Sequence, residues 1–239
     1  MTDVLLLHAG IADRRMWEPQ IVALEAAGHR AIAPDLPGFG DEPLQPGTID
    51  YTGFAAALLD GPAAVVGASL GGTVALELAV SRPELVERLV LVGVGLNPWD
   101  WSDAAQAGFA EEEECLERGD LAGAAAAQGR MWLADDATPA VRALTEAMTV
   151  RSYELQLPVE RQVTAVWPEP RAAERLGEVA APTLVVVGTE DVGDVGAMSE
   201  RVVASVPGAR LETIEGAGHL PSIERPAELN RLLLDFLRG

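Results

Sequence analysis

The sequence predicts an α/β protein: a mainly parallel sheet of about six strands, helices on both faces, and a helical insertion. Three observations predict it. Short β-branched runs alternate with segments whose apolar residues recur at helical spacing. The strand runs are apolar throughout, the pattern of strands buried on both faces. One strand–helix junction, VVGASLGGTVALELAV (residues 65–80), sets a single serine among glycines.

Taken in order, DVLLLH (3–8) is a short apolar strand that ends at a turn, and MWEPQIVALEAAG (16–28) is a helix that stops at Gly28. RAIAPD (30–35) is the next strand, closed by the Pro and Gly of DLPGFG. YTGFAAALLD (51–60) is helical, weakened at its start by Gly53. AAVVG (63–67), LGGTVALELAVSR (70–82) and ERLVLVGV (87–94) read as strand, helix and strand. The alternation resumes with PTLVVVG (182–188), GAMSERVVASV (196–206), ARLETIEG (209–216) and the amphipathic PAELNRLLLDFLRG (226–239). Residues 97–178 differ, being rich in Ala, Glu and Trp with no convincing strand. They read as two to four helices inserted into a core made of residues 1–96 and 179–239.

Composition narrows the chemistry. A chain of 239 residues with 49% apolar content suits one domain with an insertion. All 17 basic residues are arginine; without lysine there is no Schiff-base, Ser-Lys or P-loop lysine chemistry. Cys115 is the one cysteine, which excludes an intramolecular disulfide or a Cys-x-x-Cys pair. His8, His29 and His219 have no metal-ligand spacing, so neither metal nor cofactor is expected. The formal charge of −20 repels nucleic acid and anionic lipid, and the run Glu111 to Glu114 reads as a solvated helix face. No apolar run nears the roughly 18 residues of a membrane span, and the N-terminus lacks a basic n-region. The expectation is a cytoplasmic protein, monomer or homodimer, acting on a small molecule.

At Gly67-Ala68-Ser69-Leu70-Gly71 a strand must turn sharply into a helix with the serine at its apex. Small neighbours let the backbone pass while Ser69 holds a strained conformation. The hydroxyl then projects beyond the carboxyl edge of the sheet, and the Leu70 NH, in the first helical turn, points to the same place as a donor to a developing oxyanion. A serine needs a base, and with lysine missing the base is a histidine. His29 lies in a helix-to-strand loop at the opposite edge; His8 closes the first strand and orients the turn after it; His219 follows the last strand, at the edge where Ser69 projects. His219 is therefore the expected base. Glu190, Asp191 and Asp194 follow the preceding strand; Asp191 is favoured as the acid that orients the imidazole, with Asp194 as runner-up.

With Ser69, Asp191 and His219 in that order, the chain resembles an α/β-hydrolase fold protein over nearly its whole length. LLLHAGIADRRMW resembles the oxyanion-loop motif, with Ala9 where glycine is usual and Gly10 in the variable place. The resemblance implies the Gly10 NH as second oxyanion donor, with Ile11 as fallback. APDLPGFGDE resembles a structural Asp-x-x-Gly-x-Gly segment, and PTLVVVGTED and GAGHLPSIERP resemble the acid and histidine motifs. Two strands that usually precede the oxyanion loop are missing here, which is why about six strands are expected.

A serine nucleophile implies acyl transfer on a carboxylic ester or lactone, as in small esterases and enol-lactonases of the 3-oxoadipate type. The insertion becomes a lid, with Trp17, Ile11, Trp99, Trp101, Met131, Trp132 and Leu220 as candidate pocket walls and Arg130 and Arg151 as candidates to meet a substrate carboxylate. Phe109, Tyr153 and Trp167 are further aromatic candidates. The alternatives on the same scaffold are a non-hydrolytic enzyme (lyase, synthase, acyltransferase or cofactor-free peroxidase) and a binding protein that retains the triad.

Overall fold

A computed structural model describes residues 2–238. The first half of the chain runs β1 (Asp3–Leu7), α1 (Glu18–Ala26), β2 (Arg30–Ile32), β3 (Gly47–Asp50), α2 (Tyr51–Ala57), β4 (Ala63–Ala68), α3 (Leu70–Ser81) and β5 (Val86–Val92). Next come α4 (Asp103–Glu117), α5 (Leu121–Trp132), α6 (Pro139–Gln156) and β6 (Val163–Val166). The chain closes with β7 (Thr183–Gly188), α7 (Gly193–Ser205), β8 (Arg210–Ile214), α8 (Pro221–Glu224) and α9 (Pro226–Arg238).

Six strands form one sheet in the order β2-β1-β4-β5-β7-β8, and every pairing within it is parallel. Side chains alternate across the pleat. Leu5, Leu7, Val65, Leu89, Leu91 and Val185 face a core completed by Val74 and Leu78 of α3 and Met198 and Val202 of α7. Val4, Leu6, Val66, Val90, Leu184 and Val186 face the other side, against Leu24 of α1 and Leu229, Leu233 and Phe236 of α9. Both faces are thus covered, which is why the central strands β1, β4, β5 and β7 carry continuous apolar runs, while the edge strands β2 and β8 are more exposed and include charged residues. All connections leave the same edge of the sheet, so the segments after β1, β4, β5, β7 and β8 gather at its carboxyl end.

The insertion between β5 and β7 holds three helices, α4 to α6, with a small core of Cys115, Ala124, Ala125 and Tyr153. It also holds a strand that the sequence reading did not expect. β6 pairs in parallel with β3, from Gly47↔Val163 to Asp50↔Val166, as a separate two-stranded sheet. These four-residue strands are largely exposed and lack the buried apolar signature of the main sheet. The expected strand 30–35 is confined to Arg30–Ile32, and the helix from residue 16 begins as a short 3-10 turn, Arg14–Trp17.

The return from the insertion to the core is fixed by a buried ion pair. Glu77 on α3, with its side chain 3% exposed, accepts from Arg171 Nε at 2.6 Å and from the Ala172 NH at 3.1 Å. The Arg171 guanidinium also lies over the Trp167 ring at 4.6 Å. Removing one partner of such a pair leaves a desolvated charge uncompensated. Glu77→Ala should lower stability by about 3–5 kcal/mol in urea denaturation, and Glu77→Gln, which keeps an acceptor for the Ala172 NH, should cost less.

Candidate active site

The turn after β4 carries the serine. Ser69 has φ 50° and ψ −112°, and among the described residues it is the one non-glycine residue with positive φ. Holding it there costs about 1–3 kcal/mol. The flanking glycines are demanded by close approach. A Cβ on Gly67 would lie 2.1 Å from the Gly71 carbonyl oxygen, and one on Gly71 would lie 2.2 Å from that of Leu7. The Ser69 NH donates to Val92 O and the Gly71 NH to His8 O, both at 3.0 Å, so the turn is pinned to both neighbouring strands. Neither the Ser69 hydroxyl nor the Leu70 NH has a protein partner among the described residues.

The loop after β1 lies against this turn. A Cβ on Gly10 would be 3.7 Å from Leu70 Cβ, and the NH groups of Gly10 and Ile11 have no acceptor among the described residues. Ala9, fully buried, avoids the left-handed region, so its methyl group is accommodated without backbone strain. His8 anchors the loop. Its Nε2 accepts the Leu36 NH at 2.8 Å, which puts the proton on Nδ1, 2.9 Å from Ala9 O. Complete burial holds the His8 pKa below its ordinary value. In the DLPGFGD segment, Asp35 accepts from the NH groups of Arg14 (2.8 Å) and Asp41 (2.9 Å). A Cβ on Gly40, at φ 54°, would come within 2.3 Å of that carboxylate.

His219 and Asp191 meet beyond β7 and β8. Nδ1 of His219 lies 2.8 Å from Asp191 Oδ2 and 3.1 Å from Oδ1, with the two side chains 3% and 1% exposed. The Val192 NH also donates to Asp191 Oδ1, at 2.8 Å. With Nδ1 engaged, Nε2 is the free nitrogen. The imidazole packs against the Trp132 ring at 4.4 Å, and the His219 NH donates to Trp132 O at 2.7 Å. Gly93, at φ 52°, makes room beneath it: a Cβ there would be 3.0 Å from His219 Nδ1.

Ser69, Leu70 and His219 line one cavity of about 210 Å³ with Thr73, Gly93, Trp101, Phe109, Trp132, Val195 and Met198. Several expected walls lie elsewhere. Trp17, in the turn Arg14–Trp17, and Leu220, at the start of α8, are fully buried in the core. Ile11 packs between the core layers, its carbonyl accepting the Thr149 hydroxyl at 2.9 Å. Trp99 donates its indole NH to Asp194 at 3.2 Å and does not reach the cavity. Arg130 pairs with Glu111 at 2.6 Å and, with Met131, lines a different cleft. Arg151 donates to Gly40 O at 3.0 Å and pairs with Glu154, in a separate cleft of about 720 Å³. Neither arginine meets the cavity beside Ser69. His29 sits between α1 and β2, away from it. Asp194 accepts from Ser102 Oγ at 2.6 Å and from the Ser102 NH at 2.9 Å, latching the start of α4 to α7 and leaving His219 to Asp191.

Three carboxylate and amide positions escaped the sequence reading. Glu112, inside the run expected to be solvated, is half-buried and accepts from Tyr153 Oη (2.6 Å) and Gln128 Nε2 (2.5 Å); burial raises its pKa. Gln128 Oε1 in turn accepts the Trp132 indole NH at 2.7 Å. Glu224, buried, accepts from the NH groups of Ala134 (2.8 Å), Gly218 (3.1 Å) and Leu220 (2.9 Å), tying the insertion to the histidine loop. Val195 and Met198, one helical turn apart on the buried face of α7, were also missed: the sequence reading starts that helix at Gly196 and names neither as a pocket wall.

Residues 4–232 match the family model described as the alpha/beta hydrolase family. The chain belongs to that family. It is 32% identical, over 98% of its own length and 91% of the relative's, to a Variovorax paradoxus protein provisionally named carbamate hydrolase RutD. It is 30% identical to the pimeloyl-[acyl-carrier protein] methyl ester esterase of Aromatoleum aromaticum, covering 99% of this chain and 98% of that one. Among solved structures, a thermophilic esterase from Thermogutta terrifontis superposes with TM-score 0.79 at 25% identity, covering all of this chain and 90% of that one. No helix among the described residues is long and apolar enough to cross a membrane.

Two measurements test the supports of the site. Glu224→Ala should destabilise the protein by about 3 kcal/mol or more, since it leaves three buried NH groups unsatisfied at about 1–3 kcal/mol each, with Glu224→Gln intermediate. The neutral form of His8 is favoured only in the folded state, so its contribution is present above an unfolded pKa of about 6.5 and is lost as pH falls below it. Urea stability followed from pH 7 downward should fall less steeply in His8→Gln than in the parent.

Proposed function

We propose that this hydrolase cleaves a carboxylic ester, cyclic or open, through an acyl-enzyme on Ser69. The observation that carries the reading is the His219–Asp191 pair at 2.8 Å, its free Nε2 in the same cavity as a serine held at positive φ. Relatives and a structural neighbour named as esterases support it.

In this reading His219 Nε2 takes the Ser69 proton as Oγ attacks the carbonyl carbon, and Asp191 stabilises the imidazolium that forms. The Leu70 and Gly10 NH groups receive the oxyanion; one such donor contributes about 2.7–4 kcal/mol to barrier lowering. His219 then gives its proton to the leaving alkoxide, and the same nitrogen activates water to release the acid and regenerate Ser69. The separate placement of Arg130 and Arg151 removes the motive for an anionic lactone as the substrate.

Replacing Ser69 by Ala should abolish p-nitrophenyl acetate turnover above the buffer rate. Asp191→Asn should lower kcat by roughly 10⁴-fold, the effect of losing the correct tautomer in such a triad. Asp194→Asn should retain most activity, because its partners are Ser102 and Trp99. Steady-state assays of the three purified variants separate these outcomes, and full activity in Ser69→Ala would refute the reading.

A further inference from the structure

The cavity beside Ser69 is small, walled largely by apolar and aromatic side chains and without a charged partner for a ligand, and we infer that it selects substrates by a compact, uncharged, apolar group. The inference rests on the ester-hydrolase reading and names the substrate class for it.

Size is the first ground. The cavity measures about 210 Å³. Ligand sites of drug-like size run to about 300–1,000 Å³. An apolar cavity of about 150 Å³ holds one benzene. By that measure this one takes about six to eight non-hydrogen atoms.

Its lining is the second ground. Leu70, Trp101, Phe109, Trp132, Val195 and Met198 supply the walls. Trp101 and Phe109 meet edge to face at 5.2 Å, and each lies 6.3 Å from Trp132. Besides the reacting groups (the Ser69 hydroxyl, the Leu70 NH and His219 Nε2), the polar side-chain atoms inside are already engaged. Thr73 Oγ1 donates to Gly95 O at 2.9 Å, and Met198 Sδ accepts the Leu96 NH at 3.1 Å. Asn97 sits exposed at the rim. Apart from His219, whose Nδ1 is taken by Asp191, no titratable side chain lines the cavity. A carboxylate placed there would lose its hydration and find no replacement.

The third ground is rigidity. Trp132 is held from behind by a chain of side chains from three helices: its indole NH on Gln128, Gln128 on Glu112, and Tyr153 on Glu112. A wall fixed in this way sets a firm limit on length.

Two ester series test this: p-nitrophenyl esters of lengthening straight-chain acids, and acetates of lengthening straight-chain alcohols. In one series kcat/KM should climb to about four to six carbons and then fall at least ~10-fold by about ten carbons, the scale on which apolar pockets discriminate per methylene; the series with the limit identifies which half of the ester the cavity holds. If the acyl series carries the limit, the p-nitrophenyl half-ester of adipic acid should react at least ~100-fold more slowly than the hexanoate; if the alcohol series carries it, the acetate of 6-hydroxyhexanoic acid should fall below hexyl acetate by the same factor, as an unpaired buried charge demands. Phe109→Ala, which opens the wall without touching His219 or Ser69, should move the limit by about two or more carbons. Should that variant not fold, Phe109→Leu reports the same shift on a smaller scale.

A flat profile in both series would overturn the inference, as would equal turnover of the carboxylate-bearing and neutral esters in the series that carries the limit, or an unmoved limit in a folded Phe109 variant. Intact-mass detection of a fluorophosphonate adduct lost in Ser69→Ala separates the two levels. A labelled protein with a flat profile refutes the size and charge selection alone; an unlabelled protein without turnover refutes the ester-hydrolase reading and the selection with it.

Discussion

Everything at this site depends on one backbone conformation. Ser69 stands in the left-handed region where β4 becomes α3, and it stays there because two glycines let the neighbouring chains come within contact that a side chain would forbid. Strain of about 1–3 kcal/mol is offset by the buried parallel sheet on either side and by the hydrogen bonds from Ser69 and Gly71 to the ends of β5 and β1. The geometry follows directly. The side chain is carried past the sheet edge, the Leu70 NH is left without an intrahelical partner, and the loop after β1 is drawn against them.

A second layer of constraints brings the other groups to that apex. Asp191 and His219 arrive from loops after successive strands, and neither loop is held by apolar packing alone. Glu224 gathers three backbone NH groups from the insertion and the histidine loop. Asp194 holds the start of α4, and Glu112 stands behind Trp132. Glu224, Glu77 and Asp194 thus fasten the insertion to the core at several points, and Glu112 ties its helices to one another. In a chain with 37 acidic residues, the few that are buried organise the site while the many exposed ones set the charge.

The main sheet was legible because its central strands carry continuous apolar runs and its helices are amphipathic or buried, so local pattern and tertiary burial agree. Ser69, Asp191 and His219 could be read for a related reason: a parallel sheet sends every strand's end to one edge, and chain order alone then brings distant loops together. The insertion was less legible. β6 is a short exposed strand whose partner, β3, lies far away in sequence, and no periodicity signals such a pairing. Trp99, Arg130 and Arg151 were placed by residue type in a pocket whose orientation only three packed helices could define. Glu112 was hidden among three neighbours of the same kind, and what distinguishes it is its facing Tyr153 and Gln128 across the helical interface. Trp17, read as a pocket wall at the start of a helix, lies instead in the 3-10 turn Arg14–Trp17 and is fully buried in the core.

The central claim is that the strained serine becomes covalently acylated during turnover. Rapid acid quenching of the protein with p-nitrophenyl acetate, followed by proteolysis and mass mapping, tests it directly. The account predicts an acetyl group on the peptide containing Ser69, accumulating before steady state and disappearing as substrate is exhausted. Sustained ester cleavage with no acyl group on that peptide, or with the acyl group on another residue, would contradict it.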